Sequence, residues 1–137
     1  WLDQDGFPFW SFWENIQTGW DIRDLPNVNL IHFGALKDDM PGEIRKIAAF
    51  LEIDIDESKW DTILHHCSFD YMKANATASV PLGGAFWDGG AEQFIHRGVN
   101  GRWKDTRSDV EIKKYENLAD AELGEECAHW LATGQIQ

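Results

Sequence analysis

Cysteine, methionine and tyrosine occur only twice each in 137 residues, and basic residues are outnumbered two to one by acidic ones, 12 against 24. Each scarcity excludes something. Cys67 and Cys127 are far apart, without a C-x-x-C spacing or histidines at ligand distance, so they read as two small buried thiols and not as a bridge or a zinc site. A net charge of −12 argues against nucleic acid or an anionic membrane surface as partner. No apolar run reaches bilayer length and no charged-then-apolar leader is present, which predicts a soluble, cytoplasmic chain with no membrane partner. No glycine-rich loop runs into a helix through Lys and Ser or Thr, the arrangement that cradles phosphates at a helix N-terminus. Internal repeats and low-complexity segments are missing as well. The first residue is Trp1 and not Met, which predicts a fragment or a processed chain.

What is abundant is aromatic bulk. Eight Trp and eight Phe predict a globular core, and the length suits one domain or part of one. Trp10, Trp13, Ile16 and Trp20 fall along one stripe if Phe7 to Trp20 is helical, either as a core face or as an aromatic wall for a substrate. Val28 to Phe33 reads as a short buried strand containing a core histidine, His32. Asp39 as cap and Pro41 in the first turn predict a helix with Ile44, Ile47, Ala48 and Leu51 repeating along it. Ser58 is the expected start of the next helix, with Trp60, Ile63, Leu64 and Cys67 facing inward. Adjacent His65 and His66 point about 100° apart on a helix, so they read as surface or helix-end residues and not as ligands of one ion.

Ser68 reads as an N-cap, with Phe69 and Met72 packed one turn apart. Ala74 to Gln93 reads as a long loop, of the kind that is usually functional. Ser108 and Glu111 form a capping box before Ile112, Tyr115 and Leu118, and a last short helix carries Cys127, Trp130 and Leu131 up to Gly134.

Against the acidic background, Phe94 to Arg107 reverses sign. Arg97, Arg102, Lys104 and Arg107 face a single acid, Asp105. Gly98 and Gly101 allow positive φ, the conformation in which successive N–H groups turn inward around an anion. Arg97 and His96 would add charge-assisted bonds, and a fork-shaped guanidinium suits a phosphate. A solvated basic loop is the alternative.

This stretch resembles the R-K-G-x-x-G-x-W-K segment of sulfotransferases that use 3′-phosphoadenosine 5′-phosphosulfate. Gly98, Gly101, Trp103 and Lys104 match it, His96 stands for its Arg and Arg97 for its Lys. The resemblance extends, in family order, over most of the chain from Phe9 to Gly134. Leu36, Lys37, Glu43, Ile44, Lys46, Ile47, Phe50 and Leu51 agree with the family's Y-E-D-L-K then D-P-x-x-E-I-x-K-I-x-x-F-L, with Phe33, Gly34 and Ala35 in place of its Tyr, Glu and Asp. Ser68, Phe69, Met72 and Lys73 agree with T-S-F-x-x-M-K, with Cys67 for the Thr. The N-terminal aromatic segment is similar to W-x-x-H-x-x-x-W without its histidine, and the tail is similar in pattern to bacterial members.

The resemblance implies the C-terminal half of one domain, 1–137, of three-layer α/β architecture related to nucleoside-triphosphate kinases. This half would be helix-rich with at most one or two strands, and would lack the N-terminal phosphosulfate loop and the catalytic base. It implies that His96, Arg97 and Gly98 hold the 3′-phosphate of the co-substrate and that Ser68 and Phe69 contact its adenosine, with no catalytic residue and no metal in this chain. The family's activity is sulfuryl transfer to a hydroxyl or amine; the acceptor is not legible. An incomplete sheet would favour self-association. A non-catalytic nucleotide-binding module remains open beside the enzyme, as does a helical interaction protein docking through the face near Trp10 and Trp20.

Overall fold

The computed structural model describes residues 2–136, and every regular element among them is helical. The chain divides into two compact units, one formed by the chain up to Leu51 together with the chain from Arg102 onward, the other by Glu52–Gly101.

The first unit is organised by α1 (Phe12–Asp21) and α8 (Asp109–Thr133), which pack on each other. Trp13 and Trp20 lie seven residues apart, about two turns, so both face one side of α1 and bury against Ala119, Leu123, Cys127 and Ala128 of α8. The Trp20 and Trp130 rings meet at 5.5 Å. Burial pushes the Cys127 thiol above its ordinary value. Trp10 does not join this face: Ser11 is the N-cap, so Trp10 precedes the helix and stays 79% exposed. Asp5 secures the same helix start, accepting from the N–H groups of Phe12 (2.9 Å) and Trp13 (3.0 Å) and from the Ser11 hydroxyl.

The strand expected at Val28 to Phe33 does not form. No second strand exists among the described residues to pair with it, and an unpaired strand leaves its N–H and C=O groups without a ladder. Instead His32 caps a short α2 (Phe33–Asp38), its Nδ1 accepting from the Ala35 N–H at 3.3 Å while Nε2 lies 3.1 Å from the Leu131 carbonyl. It is the satisfied structural histidine that its apolar setting suggests. Helix α3 (Met40–Phe50) starts at the expected Asp39 cap with Pro41 in its first turn, and Ile44, Ile47 and Ala48 are half-buried, whereas Leu51 is exposed past its end. The capping box at Ser108 and Glu111 is present in full. The two C-terminal helices expected separately are joined as α8 but broken at Gly124, whose φ of 73° and ψ of 164° are not helical. Gly134 ends α8 in the left-handed conformation.

The second unit is built from short helices: α4 (Trp60–Cys67), α5 (Phe69–Ala74), α6 (Ala76–Ser79) and α7 (Gly90–Phe94). Asp56, not Ser58, caps the turn that leads into α4, and the Ser58 hydroxyl bonds back to that Asp56 carboxylate at 2.6 Å. Cys67 is exposed, contrary to the buried thiol expected: it shares a helix face with Ile63 and Leu64 but is the last residue of α4, and it stays open to solvent where those two are half-buried. The segment read as a loop from Ala74 to Gln93 instead forms α6, a 3-10 turn (Pro81–Gly84) and the start of α7 around a small core of Ala76, Val80 and Ala91. Small side chains let these one-turn helices approach closely, and that tertiary contact replaces the periodicity such short pieces cannot show.

Candidate functional site

All five residues singled out for the nucleotide lie in the second unit, in two stretches. Ser68 and Phe69 open α5; His96, Arg97 and Gly98 follow α7. The structure brings the two stretches together by two contacts. The Lys73 ammonium, on α5, donates to the His96 carbonyl at 2.8 Å. Gly98 has φ +58°, and a Cβ placed on it would lie 2.4 Å from Cδ2 and 2.5 Å from Cε2 of Phe69. The backbone at Gly98 therefore lies against the Phe69 ring, at a distance only a residue without a side chain permits.

Each side chain has a distinct capacity. Arg97 and His96 are exposed, and neither side chain makes a hydrogen bond or ion pair among the described residues. A permanently charged fork beside an imidazole suits a phosphate monoester, the first through paired N–H donors and the second through a ring N–H. Ser68 is more constrained: its hydroxyl donates to the His65 carbonyl (2.7 Å) and accepts from the Tyr71 N–H (3.1 Å) as the N-cap of α5. With its one proton committed, the oxygen has acceptor capacity left, which matches a donor such as an exocyclic amine and not an anion. Phe69 is half-buried, with the Lys73 ammonium 5.9 Å from its ring centroid. Gly101 also has positive φ, +76°, so both glycines of the basic stretch adopt the conformation expected of them.

The remainder of the basic stretch falls in the first unit. Arg102–Asp105 forms a 3-10 turn in which Lys104 approaches the Trp103 ring to 5.6 Å. His65 and His66 are exposed in the last turn of α4, and both rings pack against Tyr71, with centroids at 5.1 and 4.5 Å. Among the described residues no group of three or more His, Cys, Asp or Glu is placed to hold a metal ion, and no helix is long and apolar enough to cross a membrane. Lys73 matches T-S-F-x-x-M-K, but the sequence assigns it no role at the site. Its position four residues after Phe69 puts both on one face of α5, but its partner is 23 residues away and no local pattern announces it.

The sulfotransferase domain family matches residues 4–126. The chain belongs to that family. Sulfotransferase 1B1 of mouse is 29% identical over 107 residues, which is 77% of this chain and 36% of the relative. Luciferin sulfotransferase of the firefly Photinus pyralis is 34% identical over 98 residues, 62% of this chain and 26% of the relative. The chain thus spans about a third of the length of the curated sulfotransferases it matches. Among solved structures, mouse sulfotransferase SULT7A1 complexed with PAP superposes with a TM-score of 0.71 at 22% identity, covering 91% of this chain and 46% of that one. At that identity the likeness is one of fold. The sulfotransferase fold is therefore shared by a stretch whose regular elements, among its described residues, are all helical.

Proposed function

We propose that this chain supplies the adenosine and 3′-phosphate side of a 3′-phosphoadenosine 5′-phosphosulfate site. In the complete sulfotransferase the sulfuryl group would pass in line to a hydroxyl or amine acceptor. A bond forms from sulfur to the acceptor oxygen or nitrogen, the bond to the 5′-phosphate oxygen breaks, and the acceptor proton leaves to a base. Arg97, His96 and Gly98 hold the 3′-phosphate, and Phe69 and Ser68 hold the adenosine. These residues serve binding, and no bond-breaking role is assigned to any of them. The observation that carries this reading is the convergence of the two motif stretches, through Lys73 on His96 and Gly98 on Phe69. The PAP held by SULT7A1, whose fold this chain shares, supports the nucleotide class.

The order of the sequence motifs from Phe9 to Gly134, and not the mouse structure, is what supports placing the chain in the C-terminal part of a three-layer, kinase-like sulfotransferase domain with a tail of bacterial type. The acidic net charge supports a protein that engages neither nucleic acid nor an anionic membrane surface, and we place it in the cytoplasm. Exposed Phe9 and Trp10 support self-association, which light scattering over a dilution series measures; a monomer at every concentration overturns it.

The deciding experiment is calorimetric titration of 3′-phosphoadenosine 5′-phosphate beside its 2′-phosphate isomer. Preference for the 3′ isomer, lost in Arg97→Ala, is the expected result. Equal binding of the two isomers, or none, overturns the assignment.

A further inference from the structure

In a chain with 24 acids and 12 bases, an ammonium has many carboxylates to choose from. Lys46, Lys59 and Lys114 each pair with one. Lys73 instead spends its hydrogen bond on a main-chain carbonyl, that of His96, and pairs with no acid among the described residues. This carbonyl belongs to the peptide group that carries the Arg97 N–H. In a planar trans peptide the C=O and N–H point in opposite directions, and the only cis bond among the described residues is Phe7-Pro8. Drawing the His96 oxygen toward α5 therefore turns the Arg97 N–H away from it.

That N–H has no main-chain or side-chain partner among the described residues, while the neighbouring His96 N–H is occupied by the Phe94 carbonyl at 3.1 Å. Gly98 then turns the chain at φ +58° with its backbone seated on Phe69. The peptide is held from both sides, and one donor is left over.

We propose that Lys73 is a positioning residue: by pinning the His96 carbonyl it aims the Arg97 N–H, alongside the Arg97 guanidinium, at a bound phosphate monoester. The identity of that phosphate as the 3′-phosphate of the nucleotide rests on the reading above. The orientation of the peptide does not.

The test combines amide NMR with calorimetry on the whole chain. On addition of 3′-phosphoadenosine 5′-phosphate the Arg97 amide proton moves downfield, as a charge-assisted N–H to phosphate bond requires. In Lys73→Met that shift is lost and affinity falls about tenfold, while Lys73→Arg, which keeps a donor, stays within about twofold of wild type. A nucleotide that binds without moving the Arg97 amide, or a Lys73→Met chain that binds as well as wild type, overturns the proposal. If wild type binds no nucleotide, the functional assignment falls, and amide relaxation of the free chain still decides the tether. Greater mobility at 96–98 in Lys73→Met, reversed in Lys73→Arg, upholds it; unchanged mobility sinks it.

Discussion

A Cβ on Gly98 would stand 2.4 Å from the Phe69 ring, closer than non-bonded carbon atoms approach, so the contact between these two residues depends on hydrogen in place of a side chain. Gly98→Ala meets two penalties: the ring must move, and alanine must adopt φ +58°. The expected cost is about 1–3 kcal/mol in denaturant unfolding, accompanied by loss of nucleotide affinity. Adding Phe69→Leu relieves the collision and leaves the backbone strain, so the double variant recovers part of the stability. Purely additive effects in that double-mutant cycle would show that the two residues do not meet.

Arg97→Ala is expected to leave stability within about 0.5 kcal/mol, since the side chain is exposed and has no partner among the described residues. Its affinity for 3′-phosphoadenosine 5′-phosphate falls at least about tenfold, the worth of a hydrogen bond to a charged group. Thermal melts beside calorimetry separate the two. A large drop in melting temperature would recast Arg97 as structural.

Acid stability reports on the start of α1. The Ser11 hydroxyl, then the Trp13 N–H and to a smaller extent the Phe12 N–H, hold the Asp5 carboxyl below its ordinary value, against a smaller opposing effect of desolvation. A folded value below the unfolded one means that Asp5 stabilises fully above the ordinary carboxyl range, and that this contribution drains away as pH falls below about 3.9. Asp5→Asn should flatten that part of the stability profile, as followed by circular dichroism. An unchanged slope would show that the bonds are too solvated to matter.

Ser108→Ala removes the N-cap of α8 and the hydroxyl bonds to Glu111. About 1 kcal/mol of stability should be lost, the usual worth of an N-cap. Because α8 carries four of the six buried residues in the first unit's core, the loss should be visible in a cooperative melt and not only in local fraying at 109–112.

Local chemistry made much of this legible in advance. Asp39 and Pro41 at the start of α3, the Ser108 and Glu111 box, the Ser68 cap, Gly134 at the end of α8 and positive φ at Gly98 and Gly101 all follow from single residues acting on their own backbone. What failed needed a distant partner. Val28 to Phe33 has strand composition but no neighbouring strand among the described residues, and His32 became a cap whose second nitrogen reaches Leu131, 99 residues away. Asp5 and the Ser11 cap fix the start of α1 at Phe12 and not at Phe7, which leaves Trp10 ahead of the helix and off the aromatic face.

The candidate site divides along the same line. Residue type alone determined that a basic, glycine-bearing stretch suited to phosphate exists in an acidic chain, because charge and permissive φ belong to individual residues. Only the tertiary structure shows the stretch of Ser68 and Phe69 lying against the stretch of His96, Arg97 and Gly98. The hydrogen bond from Lys73 to a main-chain carbonyl and the seat of Gly98 on an aromatic ring form in space between segments more than 20 residues apart, and neither leaves a periodicity or spacing in the sequence to be read.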